Sequence, residues 1–175
     1  PLLSLTPGTA TIKITNTSNT ATTFQGGDLT YYNIWYSRGA STASNTIVDS
    51  NTFNNFMTSG SAAHSFLFTT GITTTVSSWT VSGTSGNLVT INSTTTGTHS
   101  LVKSGGGTIS SDYLNIQHSV ATPSSTWYAG THSTNNQAVA TAGSGWIFTA
   151  PPSSTSIASF NGLAYASTAT VNGLA

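Results

Sequence analysis

Four histidines each precede a serine, at His64-Ser65, His99-Ser100, His118-Ser119 and His132-Ser133. A nucleophile and its base must meet within hydrogen-bond reach, and sequence neighbours on a strand point to opposite faces. The dipeptides therefore do not make a hydrolase dyad, and His64 or His99 opening a strand at a corner of the coil is the role that fits. Acidic residues are sparse: Asp28, Asp49 and Asp112, with no Glu. Glycoside hydrolysis needs two carboxyl groups about 5–9.5 Å apart. Only Asp28 and Asp49 could approach each other, across neighbouring turns of a repeating fold, and turn or surface carboxylates are their expected role. Asp112 sits inside a repeated motif, as a bulge or edge residue. The chain has no Cys, which excludes disulfides and thiolate metal sites. A metal would need three or four converging ligands, or one His from each subunit on a symmetry axis. No catalytic, cofactor or metal residue is assigned, and a non-enzymatic protein is expected.

The aromatics are the better candidates for contact. In Tyr31-Tyr32-Asn33-Ile34-Trp35-Tyr36, strand alternation sends Tyr31 and Tyr32 to opposite faces, so at least one large ring leaves the core. Tyr32, Trp35 and Tyr36 are thus expected at an interface, with a subunit ahead of a stacked sugar. Trp127 is a further candidate, in the run Ser125-Thr126-Trp127-Tyr128-Ala129-Gly130.

These residues sit in a chain of 175 positions, 35 of them Thr and 28 Ser. Its 36% hydrophobic and 10% aromatic content separates it from disordered sequences. Thr favours extended backbone and the strong helix formers are almost absent, so the class is all-β. Three cations, Lys13, Arg38 and Lys103, balance the three aspartates to a net charge of zero. So sparse a set excludes a nucleic-acid footprint, a polybasic membrane patch and the steering of an ionic substrate. No apolar run approaches the roughly 18 residues of a membrane span.

Self-similarity is the organising signal. Thr30-Tyr31-Tyr32-Asn33-Ile34 returns as Thr52-Phe53-Asn54-Asn55-Phe56, then as Thr75-Val76-Ser77-Ser78-Trp79, and more loosely over Thr108 to Tyr113. The first two intervals are 22 and 23 residues, the third 33. Between the copies lie second runs: Asn45 to Val48, His64 to Phe68, Asn87 to Ile91 and His99 to Val102. Short strands joined by Gly, Ser and Asn turns predict a short parallel β-solenoid of about five tiers, each rising by about 4.8 Å. Its inward ladders would be Tyr31, Phe53, Val76 and Ile109, and Ile34, Phe56, Trp79 and Tyr113. An antiparallel β-sandwich or jelly roll is the alternative.

Thr9 to Thr15 alternates cleanly and predicts a strand covering the first tier, its Lys13 blunting the exposed edge. The aromatic runs around Trp127 and Trp146 predict a closing coil. The solenoid domain is placed at 1–150. A Pro-linked tail follows at 151–175, where Phe160-Asn161-Gly162-Leu163-Ala164 is echoed by Val171-Asn172-Gly173-Leu174-Ala175. Phe160, Asn161, Gly162, Asn172 and Gly173 are docking candidates, because a pair of turns cannot bury a core alone. Asn16-Thr17-Ser18 and Asn92-Ser93-Thr94 match glycosylation sequons, which chance explains in so Ser/Thr-rich a chain. Thr-x-Thr pairs do not recur at the 22-residue interval, which argues against an ice-binding face.

Three stretches resemble β-helix-like repeat domains of bacteriophage virion and bacterial surface proteins. They are Thr23-Phe24-Gln25-Gly26-Gly27 with Thr30-Tyr31 and Asn33-Ile34; Gly86-Asn87-Leu88-Val89-Thr90-Ile91; and Tyr113-Leu114-Asn115-Ile116 through Trp127-Tyr128-Ala129-Gly130 to Gly145-Trp146-Ile147-Phe148. The tail's Asn-Gly-Leu-Ala pair is similar to C-terminal segments of phage structural proteins. The resemblance implies a tail-fibre, spike or head-decorating protein on the virion surface. Its partners would be itself, as a homotrimer, and other virion proteins, with a host-surface glycan as the alternative. It carries no catalytic motif and no cofactor.

Overall fold

The computed structural model describes residues 6–137 and 144–152, with the backbone of Ser159–Phe160 and Leu163–Ala164. All of its regular structure is β. The first strands are β1 (Thr11–Ile14), β2 (Thr22–Gln25), β3 (Thr30–Tyr36), β4 (Ser44–Val48), β5 (Thr52–Thr58), β6 (His64–Phe68) and β7 (Thr73–Thr80). Then come β8 (Val89–Ser93), β9 (His99–Lys103), β10 (Ile109–Ser110), β11 (Leu114–Ile116), β12 (Ser119–Thr122), β13 (Trp127–Tyr128), β14 (Thr134–Asn135) and β15 (Trp146–Ile147).

Alternate strands join different sheets. One six-stranded sheet runs β1-β3-β5-β7-β9-β12, a second runs β2-β4-β6-β8-β11-β14, and β10-β13-β15 form a third. Every pairing in these three sheets is parallel, so the chain is a β-solenoid of about six turns. The antiparallel sandwich is excluded. Antiparallel pairing is confined, among the described residues, to an isolated Thr84–Asn87 bridge and to β16 (Ser159–Phe160) with β17 (Leu163–Ala164). Asn161, Gly162, Asn172 and Gly173 lie outside the described residues, and of Phe160 the backbone alone is described.

The Thr-apolar-x-x-apolar motif is a corner. Residues three apart on a flat strand face opposite ways. Yet Phe53 and Phe56 are both buried, as are Val76 and Trp79 around the exposed Ser77 and Ser78. The ladders omit Tyr32, Asn54 and Ser77. The chain bends at those positions, so both apolar residues of each copy enter one interior. There Phe56 stacks between Tyr36 (5.7 Å between centroids) and Trp79 (4.8 Å), with Phe66 edge-on at 5.1 Å. Such aromatic pairs contribute about 0.5–1.5 kcal/mol each beyond their burial.

Tyr31, Phe53 and Val76 form a ladder in register, but its fourth member is Lys103 and not Ile109. The run His99 to Val102, grouped by sequence with Asn45 to Val48, belongs instead to the sheet of the Thr-led copies. Lys103 holds the position because its Nζ donates to the carbonyls of Ser77 (3.2 Å), Ser104 (3.3 Å) and Gly106 (2.6 Å). A buried cation is tolerated when its donors are met, and here they also tie residues 104–108 to the stack. Ile109 rejoins beside β7 and pairs with Trp127, which pairs with Trp146. Tyr113 is not an inward rung. Its backbone turns left-handed (φ 56°), it is half-buried, and it stacks on His132 at 4.6 Å.

Candidate functional site

Each of the six charged side chains meets a group of the protein itself. Arg38, buried in the interior, donates to the carbonyls of Asn16, Ser18 and Thr20 and to Asn45 Oδ1, which fixes the connection between β1 and β2. Lys13 lies with its Nζ 4.0 Å from the centre of the Trp35 ring, a cation–π contact. Asp28 Oδ1 accepts from Ser50 N (2.6 Å) and Asp49 Oδ2 from Gly27 N (2.8 Å). These two aspartates do come from adjoining turns, as their spacing allows. Each carboxylate caps the other's turn, and both backbones are left-handed (φ 59° and 71°).

The histidines divide into buried and exposed. His99 Nδ1 is 2.8 Å from Ser93 Oγ, a serine–histidine pair that no adjacent dipeptide foretold. Both are buried, and Ser93 Oγ donates onward to the His118 carbonyl at 3.0 Å. Burial pushes the His99 imidazole down to about 3, with His118 adding to the effect, and its ring stacks on Phe68 at 4.5 Å. No carboxylate orients it, so the pair is a neutral structural bond. His64 is likewise depressed by burial; its Nδ1 meets the Ala62 carbonyl at 2.8 Å and its Nε2 meets Thr58 Oγ1 at 3.1 Å.

His132 is different. It is exposed, and its Nδ1 is 2.7 Å from Asp112 Oδ2. Partial desolvation pushes the Asp112 carboxyl up. Hydrogen bonds from the His132 side chain and backbone and from Tyr113 N–H, with the charge of His132, outweigh this and hold it below the usual carboxylate range. The cluster clasps the corner after β10 to the corner after β13. Among the described residues, no group of three His, Asp or Glu converges in metal-holding geometry.

Of the aromatic contact candidates, Tyr36 and Trp127 are corrected: both are fully buried. Alternation continues inward from Ile34 to Tyr36, and Trp127 is a rung whose Nε1 donates to the Thr122 carbonyl at 2.9 Å. Trp35 does face outward, half-buried, donating from Nε1 to Ser59 Oγ at 3.0 Å. One face of its ring is taken by Lys13. Tyr32 is half-buried and lines a largely apolar groove of about 250 Å³ with Tyr31, Asn33, Ile12 and Pro7.

That groove lies at the first turn of the described residues. Strands β1 and β2 are edges of their sheets, and Phe24, Tyr31 and Ile14 pack against the core while half exposed. Ile12, on β1, is the exposed large hydrophobic of the described residues, at 37%. Its place was legible in the Thr9 to Thr15 alternation; its importance was not. At the opposite end the edge of the first sheet, β12, is covered. The Gln137 carboxamide accepts from Ser119 N (3.2 Å) and donates to Ser119 O (2.7 Å), so it bonds to β12 as a neighbouring strand would. Trp146 Nε1 donates to Ser119 Oγ at 3.1 Å, and Ala121 N donates to the Ser144 carbonyl at 2.6 Å. No sequence signal marks Gln137 for this role. The open first turn, with Ile12, the two strand edges and the tyrosine-lined groove, is the candidate site. No protein-family model, no curated protein and no solved structure matches the chain.

Proposed function

We propose that the chain is a non-enzymatic structural protein that works by assembly contacts made through its open first turn. The resemblance to phage β-helix-like repeat domains makes a virion surface the setting, as a capsid- or tail-associated component. One observation carries this reading. Among the described residues, the ionisable groups hold the protein's own turns and loops, while the outer edges of β1 and β2 pair with no strand and Ile12 is exposed. A sparsely charged, hydroxyl-rich surface of zero net charge brings many copies close with little mutual repulsion. The test is imaging of the intact particle with and without the chain. Repeated copies seated on the shell or tail through the β1 end support the role, and a chain that never associates with a particle refutes it.

A second reading, recognition of a host-surface glycan, is favoured by the groove. Tyr31 and Tyr32 supply ring surface there, and Asn33 Oδ1 is a buried acceptor without a protein partner. Binding to purified host polysaccharide that Tyr32→Ala abolishes would support it. Trp35 is a poorer platform than its sequence position suggests, because Lys13 covers it.

A further inference from the structure

We infer that the open first turn pairs with the same turn of a second copy, β1 to β1 in antiparallel register, about a two-fold axis through Ile12. This inference rests on the assembly reading above and names its first partner. The phase of β1 is fixed by two bonds: Asn33 N donates to the Ala10 carbonyl (3.1 Å) and Ser37 N to the Ile14 carbonyl (2.9 Å). In a parallel ladder, alternate residues bond to the same neighbour. Ala10, Ile12 and Ile14 therefore turn their backbone groups to β3, and Thr11 and Lys13 turn theirs to the free edge. Antiparallel strands pair residues that exchange both backbone bonds. Setting Ile12 opposite Ile12 of the second copy puts Thr11 opposite Lys13 on both sides of the axis, and every outward N–H and C=O of Thr11 and Lys13 finds a partner.

The same register suits the side chains. Ile12 faces its own copy and loses its exposure. Lys13 faces a threonine and not another lysine, so no like charges oppose each other across the strands. Its ammonium is already engaged on Trp35. A head-to-tail stack is disfavoured, because Gln137 occupies the backbone of Ser119 and the Ser144 carbonyl that of Ala121 at the other end. With β12 occupied, β1 is left to meet the like edge of a second copy, which is an isologous interface. A two-fold pair also departs from the trimer that the resemblance implies.

The chain contains no cysteine, which makes the test clean. Residues on the axis form a non-hydrogen-bonded pair with Cα atoms about 4.5 Å apart, within disulfide reach. Oxidised Ile12→Cys is expected to run as a covalent dimer, whereas Ile14→Cys, which does not face its own copy in this register, stays monomeric on a non-reducing gel. The unsubstituted chain is expected to sediment at twice the monomer mass. Lys13→Pro, which removes an outward N–H without touching a bond to β3, is expected to lose the dimer while its circular dichroism is unchanged. A wild-type chain that sediments as a monomer or trimer overturns the inference, as does equal crosslinking of Ile12→Cys and Ile14→Cys. A monomeric chain that still enters particles refutes the pairing and leaves the structural role standing.

Discussion

At one end of the stack, β1 and β2 present four-residue edges, a groove and an isoleucine to solvent. At the other, β14 and β15 are two residues long, Trp146 roofs the interior, and a glutamine amide bonds where a further strand would lie. Both ends meet the same difficulty, a terminal row of strand backbone above an apolar interior. The difference lies in the last described coil, where an aromatic covers the interior and an amide satisfies the edge of β12. Among the described residues, the first end has no such aromatic or amide. Lys13, the usual means of blunting an edge, is folded onto Trp35.

Substitutions at the two ends should therefore have unequal consequences. Trp146→Ala strips a nearly buried ring from its place beside Trp127, 5.1 Å between centroids. A loss of about 3–5 kcal/mol is expected by denaturant unfolding, as for large aromatic truncations in cores. Gln137→Ala leaves the buried backbone of Ser119 without partners on that side. A cost of about 1–3 kcal/mol is expected, with faster exchange of the Ser119 amide. Ile12→Ala at the open end should cost the monomer about 1–2 kcal/mol, because over a third of the residue is already in water. If it costs as much as Trp146→Ala, the first end is closed after all. The smallest effect is expected from Asp112→Asn, about 0.2–1 kcal/mol, since the Asp112–His132 clasp is partly exposed. Its sign is fixed by the carboxyl's depressed pKa. The stabilisation is present above the ordinary carboxylate range and is lost as pH falls through the lower, folded value. Unfolding curves of the wild type and Asp112→Asn should converge in acid and separate near neutrality.

The tiers were legible because Tyr31, Phe53 and Val76 recur at constant spacing, and the structure sets them side by side. Legibility ended at Lys103. A lysine at an inward rung breaks the apolar pattern, and the carbonyls that make it tolerable belong to Ser77, Ser104 and Gly106, which no local rule gathers. That one break displaced Ile109 and Tyr113 by a face. Tyr36 was misplaced for a simpler reason: the alternation used for Tyr31 and Tyr32 had to be restarted after the corner at Tyr32. Of the candidate site, the β1 strand and Tyr32 were visible in sequence. The closing coil of Trp127 and Trp146 was visible too; the Gln137 amide was not, because it reaches Ser119 by folding and not by spacing.

The excursion over residues 104–108 carries an implication for how such a chain could diversify. The rungs before and after it are pinned by separate ladders, Val76 with Lys103 and Ile109 with Trp127. Gly105 and Gly107 supply left-handed turns (φ 73° and 81°) that let the backbone leave and return. Provided the Ser104 and Gly106 carbonyls still reach the buried Lys103 ammonium, sequence can be lengthened there at a closure cost that grows only logarithmically. The stack would behave as a rigid mast with one point from which a new segment can be flown, leaving the timber beneath unaltered.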